Sequence, residues 1–413
     1  MIPPLALRTA LAIALTATAG TAQAGTVTVE QHVGRAVRIF VPTKPASPTA
    51  LVVMLHGCTQ TADAFADATQ MDAVAEAKGF VVAYPEQASA TISTKCFRWY
   101  EPAHQARDSG EPKELADATD EIAKAHGVDP ERVYVAGISA GAAMSVVLGA
   151  TYPDRFTAIG IVAGIEFRGA SSLADAFSTS SNGGPDPDRQ GVLAHTEMGP
   201  RARAVPVFVV QGTADGIVAK VNGDQVAAQW RKTNTLVLGD GAIEPVVSVT
   251  GTAGYPFTRM VHRIKANGAS VIEHYVVDGL GHAWPGGKDG GSYSDAKGPD
   301  ASGLIWAFFA GRTRSKPLDV PPVAIPTPGS SPDAGAPGTN PPGARPGDPG
   351  APPPADVAGS SGGCAVACPA RVERSAWFSC VLGASALLAA LIRRIRGQRA
   401  RAPVRRHRAP LHR

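Results

Sequence analysis

Residues 132–144 read RVYVAGISAGAAM. An apolar run through Val133, Tyr134 and Val135 leads into Gly137-Ile138-Ser139-Ala140-Gly141, and a stretch of small residues suited to a buried helix follows. A strand that turns into a helix this abruptly leaves no room for side chains beside the turn. Glycines therefore flank the serine, and the turn lifts its hydroxyl above the sheet. The five-residue pattern alone is weak, because an ordinary strand–helix junction can imitate it. Here both flanks carry the strand and the helix that the arrangement needs, so Ser139 becomes a candidate nucleophile.

Reading outward, continuous apolar runs alternate with helical spacing over about residues 25–315. ALVVMLHG (50–57), FVVAYPE (80–86), RVYVAG (132–137), AIGIVAG (158–164), PVFVVQG (206–212) and VIEHYVVDG (271–279) read as strands. Between the first two, Phe65, Ala68, Met71, Val74 and Ala75 fall at helical spacing, with Gly79 as the stop. ELADATDEIAKAHG (114–127) and SGLIWAFFAG (302–311) are further helices. Strands without polar alternation, separated by helices, predict an α/β domain whose mostly parallel central sheet is covered by helices on both faces. In such sheets the chemistry gathers beyond the carboxyl ends of the strands.

Two more strand ends carry suitable groups. Asp215 follows one in GTADGIV, and His282 follows another in DGLGHAWPGG. With Ser139 they give the chain order Ser…Asp…His, the order of α/β-hydrolases. The chemistry requires all three types, since a serine hydroxyl is a poor nucleophile until an oriented imidazole removes its proton. Asp278 is the rival acid and reads as a turn residue; His56, in LHGC, reads as a loop support. The Cys58 N–H after Gly57 and the Ala140 N–H after the nucleophile are candidate oxyanion donors. Trp99, Tyr100 and Trp284 flank the same face and are candidates for lining a substrate pocket. Residues 168–200 are expected to form a lid or pocket insertion.

Together VVMLHGCTQTADAFADATQMDAVAEAKGFVVAYPEQ, CFRWY, DPERVYVAGISAGAAM, YPDRF, QGTADGIV, GLGHAWPGG and GPDASGLIWAFF resemble the polyhydroxybutyrate depolymerase-type esterases, relatives of feruloyl and acetylxylan esterases. The resemblance spans roughly residues 30–310. It implies an α/β-hydrolase fold, a Ser139–Asp215–His282 triad, oxyanion donors at Cys58 and Ala140, and no cofactor. CFRWY (96–100) departs from the more usual C-W-N-W-F of that family at Phe97 and Arg98. A non-catalytic surface protein on the same fold and an acyltransferase are the alternative readings.

The ends predict a destination. Residues 1–24 place Arg8 before an apolar stretch that ends in Ala-Gln-Ala, the layout of a signal peptide. Residues 316–363 are rich in Pro and Gly and read as a disordered linker. Residues 364–413 hold Cys364 and Cys368, a charge-free apolar run at about 376–392, and then nine arginines with no acid. That tail resembles bacterial C-terminal sorting tails and predicts a membrane anchor. Without those nine arginines the formal net charge of +4 becomes −5, so the basic character belongs to the tail and points to no nucleic acid. The domain holds two cysteines, Cys58 and Cys96. Export makes a disulfide between them the expectation, with two free thiols as the other outcome. No phosphate loop or zinc motif is present.

Overall fold

A computed structural model describes the chain over residues 25–88, 92–244 and 247–319. The leader expected at 1–24, most of the linker and the tail with its apolar run at 376–392 lie outside the described residues. Among the described residues, no helix is long and apolar enough to cross a membrane.

The strands are β1 (Thr26–His32), β2 (Arg35–Val41), β3 (Leu51–Leu55), β4 (Val81–Pro85), β5 (Val133–Ile138), β6 (Ile159–Val162), β7 (Val207–Gly212), β8 (Val247–Ala253), β9 (Tyr255–Arg263) and β10 (Ser270–Val277). They form one sheet in the order β1-β2-β4-β3-β5-β6-β7-β10-β9-β8. Neighbours from β4 through β10 run parallel, and antiparallel pairs close both edges. The mostly parallel sheet is the one expected from the apolar runs, and its architecture is the α/β-hydrolase fold that the family resemblance implied.

The helices are α1 (Ala62–Thr69), α2 (Met71–Lys78), α3 (Gly110–Ala125), α4 (Ala140–Thr151), α5 (Leu173–Asn182), α6 (Pro187–Met198), α7 (Lys220–Leu238) and α8 (Ala301–Phe309). All six residues of β5 are buried, and they divide between two cores. Val133 and Val135 join a cluster with Leu115, Met144 and Trp230, whereas Tyr134, Ala136 and Ile138 join Phe65, Trp284 and Phe309 on the opposite face. Each fully buried side chain of this size contributes roughly 1.5–3 kcal/mol. Covering on both faces is why the strands lack polar alternation.

Two expectations need correction. The single helix read between β3 and β4 is two, because Gln70 takes a left-handed conformation (φ 55°) that caps α1 and starts α2. Residues 168–200, expected as a lid or pocket insertion, hold α5 and α6, and α6 packs against α4 and α7 on a flank of the domain. Packing also continues past 315. The buried Arg312 guanidinium donates to Phe308 O, Pro317 O and Ser270 O, and Leu318 rests on the core.

Behind the α5–α6 segment, Glu166 is 2% exposed, and neither of its carboxylate oxygens has a hydrogen-bond partner among the described residues. Gly184 lies against it, where a Cβ would come within 2.5 Å of Oε1. Burial first, and then the Asp186 charge, push its pKa from 4.5 up to about 8. The folded protein thus retains a proton that the unfolded chain releases near 4.5, so stability is fully present below that pH and falls as pH rises towards 8. Glu166→Gln should leave the unfolding free energy at about pH 5 little changed and raise it by roughly 1–3 kcal/mol at about pH 9. Urea unfolding across that range checks the slope.

Candidate active site

The turn from β5 into α4 is as tight as its sequence requires. A Cβ at Gly141 would lie 2.0 Å from Leu55 O, and one at Gly137 would lie 2.6 Å from both Leu55 O and the Gly141 carbonyl carbon. Ser139 sits between them with φ 56° and ψ −121°, half-buried. Such a conformation costs a non-glycine residue about 1–3 kcal/mol and persists only where the surroundings over-determine it. Two backbone bonds hold it: Ser139 N–H donates to Val162 O at 3.0 Å, and Ala143 N–H donates to Ser139 O at 2.9 Å. Ser139 stands at the helix N-cap, yet its side chain makes no capping bond.

Asp215 and His282 meet at the ends of β7 and β10. Gly212 makes this crossing possible, since a Cβ there would fall 2.2 Å from Leu280 O. Ala214 N–H donates to that same carbonyl at 3.0 Å. The Asp215 side chain is fully buried, and its Oδ1 accepts from the Ile217 and Val218 N–H groups at 2.9 and 2.8 Å. Its Oδ2 accepts from His282 Nδ1 at 2.8 Å. Because a carboxylate can only accept, the proton lies on Nδ1, and Nε2 keeps its lone pair. Asp278 points elsewhere, its Oδ1 taking the Thr213 hydroxyl at 2.9 Å.

The loop after β3 lies against the serine. A Cβ on Gly57 would be 3.4 Å from Ser139 Cβ, an ordinary van der Waals separation, so the two residues lie side by side. Gly57 N–H donates to Gln60 Oε1 at 2.9 Å, and Cys58 is joined to Cys96 by a disulfide. Neither Cys58 N–H nor Ala140 N–H has an acceptor among the hydrogen bonds of the described residues. His56 is buried, donates from Nδ1 to Gly57 O at 2.8 Å and accepts Gln87 N–H on Nε2 at 3.0 Å. Burial holds its pKa below the usual imidazole value. It is the loop support that its sequence context suggested.

Below this loop is a polar network that sequence reasoning missed. The fully buried Glu111 accepts from Gln87 Nε2 at 2.6 Å, from Arg98 N–H at 2.7 Å and from Arg98 Nε at 3.2 Å. Arg98, the departure from the family pattern, therefore neutralises a buried acid, and Phe97 is fully buried against the His56 ring at 5.1 Å. Nothing in the spacing of Gln87, Arg98 and Glu111 announces the contact, which needs the connection after β4 to fold back onto the first turn of α3.

The aromatic candidates separate. Trp284 is completely buried, packs edge-on against Phe65 at 5.5 Å and donates its indole N–H to Ser302 at 3.1 Å. It belongs to the core and offers no face to a substrate, which corrects the expectation from sequence. Trp99 and Tyr100 are each 6% exposed and meet edge-on at 5.6 Å, so most of both rings is likewise spent on packing. Tyr293, which the sequence reading passed over, stands beside His282 with a ring-centre separation of 5.9 Å. Its only advance signal was an aromatic residue in the Gly/Ser-rich stretch following the histidine. Among the described residues, no group of three or more His, Cys, Asp or Glu side chains could hold a metal ion.

Comparison with known proteins identifies relatives among the esterases. The family model described as "Esterase PHB depolymerase" matches residues 37–246. Poly(3-hydroxyalkanoate) depolymerase C of Paucimonas lemoignei is 35% identical over 250 residues, which are 59% of this chain and 57% of that protein. Feruloyl esterase B of Talaromyces stipitatus is 28% identical over 254 residues, 58% of this chain and 67% of that one. The chain thus spans little more than half the length of the depolymerase it matches. Among solved structures, an acetyl xylan esterase from Aspergillus awamori superposes with a TM-score of 0.53 at 22% identity, covering 62% of this chain and 94% of that one, and shares the fold.

The disulfide closes a loop with a sequence separation of 38, for which chain entropy predicts about 4 kcal/mol of stabilisation. The double variant Cys58→Ala/Cys96→Ala should lose most of that in urea unfolding. Its amide hydrogens around Cys58 should also exchange faster than those of β5.

Proposed function

Since the chain belongs to the PHB depolymerase family of esterases, we propose that it is a carboxylic ester hydrolase acting through an acyl-enzyme on Ser139. The observation that carries this reading is the 2.8 Å bond from His282 Nδ1 to the buried Asp215, which leaves Nε2 to act as a base, together with the strained turn that holds Ser139.

Ser139 Oγ attacks the ester carbonyl while His282 Nε2 takes its proton. Asp215 keeps the ring in the required tautomer and stabilises the imidazolium that forms. The developing oxyanion is met by the Cys58 and Ala140 N–H groups, which have no acceptor among the described residues, and the N-terminal end of α4 adds its dipole. His282 then delivers the proton to the departing alcohol. A water deprotonated by the same nitrogen releases the acid and restores Ser139. Every step uses groups of this chain alone.

The substrate classes named by the relatives are a polyester of hydroxy acids and feruloyl or acetyl esters of plant polysaccharide, and both fit this chemistry. We assign the domain to an exported location, supported by the signal-like residues 1–24 and by the disulfide, which persists in oxidising compartments. The apolar run at 376–392 and the arginines after it support tethering of the exported domain to a membrane.

Hydrolysis of p-nitrophenyl acetate tests the reading. Ser139→Ala should lower kcat by several orders of magnitude, and Asp215→Asn should lower it by about 10⁴-fold through the wrong tautomer. Equal turnover by Ser139→Ala and wild type would overturn the assignment and leave a binding protein on a hydrolase fold. A panel of polyhydroxybutyrate, feruloylated arabinoxylan and acetylated xylan then separates the substrate classes.

A further inference from the structure

Tyr293 combines three features that packing alone does not explain. It is 40% exposed, although the His282 side chain beside it is only 7% exposed. Its φ is +50°, a left-handed conformation that a bulky residue adopts rarely. And its hydroxyl makes no hydrogen bond among those of the described residues. A turn that needed only this backbone shape would be better served by glycine or asparagine.

The conformation is imposed from several sides. Short strands β11 (Trp284–Pro285) and β12 (Ser294–Asp295) pair in parallel, and Trp284 N–H donates to Tyr293 O at 2.7 Å. Ser292 O accepts from Gln60 Nε2 at 2.8 Å, which ties the tyrosine's neighbour to the loop carrying Cys58. Farther out, Lys288 pairs with Asp67 of α1 at 2.7 Å.

We propose that Tyr293 is a specificity-determining contact for the alcohol portion of the ester, an inference that rests on the esterase reading above. The argument is one of proton transfer. His282 Nε2 must come within about 3 Å of the departing alcohol oxygen to protonate it. The alcohol side of the substrate therefore lies beside the imidazole, with the acyl side turned away along Ser139. A ring centred 5.9 Å from the imidazole and set at 81° to it presents a wall to that group. A flat or extended apolar alcohol covers the ring; a methyl or ethyl group does not.

Because the alcohol leaves in the first half-reaction, the contact must act on acylation and be silent in deacylation. The test uses the full chain with acetate esters of one acid and several alcohols. For Tyr293→Ala, kcat/KM for 2-naphthyl acetate should fall about tenfold while that for ethyl acetate changes less than about twofold. The deacylation rate constant, read from the steady phase after the burst, should be unchanged. Tyr293→Phe should keep the wild-type preference. Tyr293→Gly should lose it while raising Tm, since glycine relieves the positive φ. Equal losses for both alcohols, or slower deacylation, would make Tyr293 a support for His282 and overturn the proposal, as would an unchanged preference in Tyr293→Ala. An inert wild type, with no burst on any ester, would instead overturn the esterase reading and this inference with it.

Discussion

The approach of Gly141 to the Leu55 carbonyl governs the rest of the molecule. At this point the chain leaving β5 passes so close to β3 that no side chain fits between them. That contact compels Ser139 to turn at positive φ, starts α4 immediately and brings the loop after β3 against the serine. Fully buried along its length, α4 in turn needs a helix layer beyond it, which α3, α6 and α7 supply. The strained turn is thus held by a large hydrophobic core, and the strain is small beside what that core contributes.

A second close approach completes the site. Gly212 lets the chain bearing His282 cross the end of β7, and the buried Asp215 waits there with one oxygen already satisfied by two backbone amides. The other oxygen has the imidazole as its main partner. Site geometry therefore comes from backbone proximity at two strand ends, and the side chains follow. The Cys58 loop has its own supports, with the disulfide on one side and His56, Gln87 and Glu111 beneath.

The sheet was legible where burial on both faces removes polar residues, as in Leu51–Leu55 or Val207–Gly212. It was less legible at the edges. The β1–β2 and β8–β9 hairpins were missed because β1 is mostly exposed and β8 reads Val-Ser-Val-Thr-Gly-Thr-Ala, a pattern that a loop shares. The split at Gln70 escaped notice because helical spacing continues across it while one residue changes hand. Trp284 misled because nearness in sequence to a candidate catalytic histidine says nothing about which way a ring points. Here it points down, between Phe65 and Ser302.

Sequence by itself determined the class of fold and the order of the reactive groups. Both follow from local rules, apolar periodicity for one and the residue types at strand ends for the other. Only the tertiary structure decided which neighbours those groups have. Glu111 meets Gln87 and Arg98, Glu166 is buried without a partner among the described residues, and Tyr293 stands beside His282 because of how the chain folds back on itself at these places. Such contacts depend on how close two backbones come, and no spacing within a single segment records that distance.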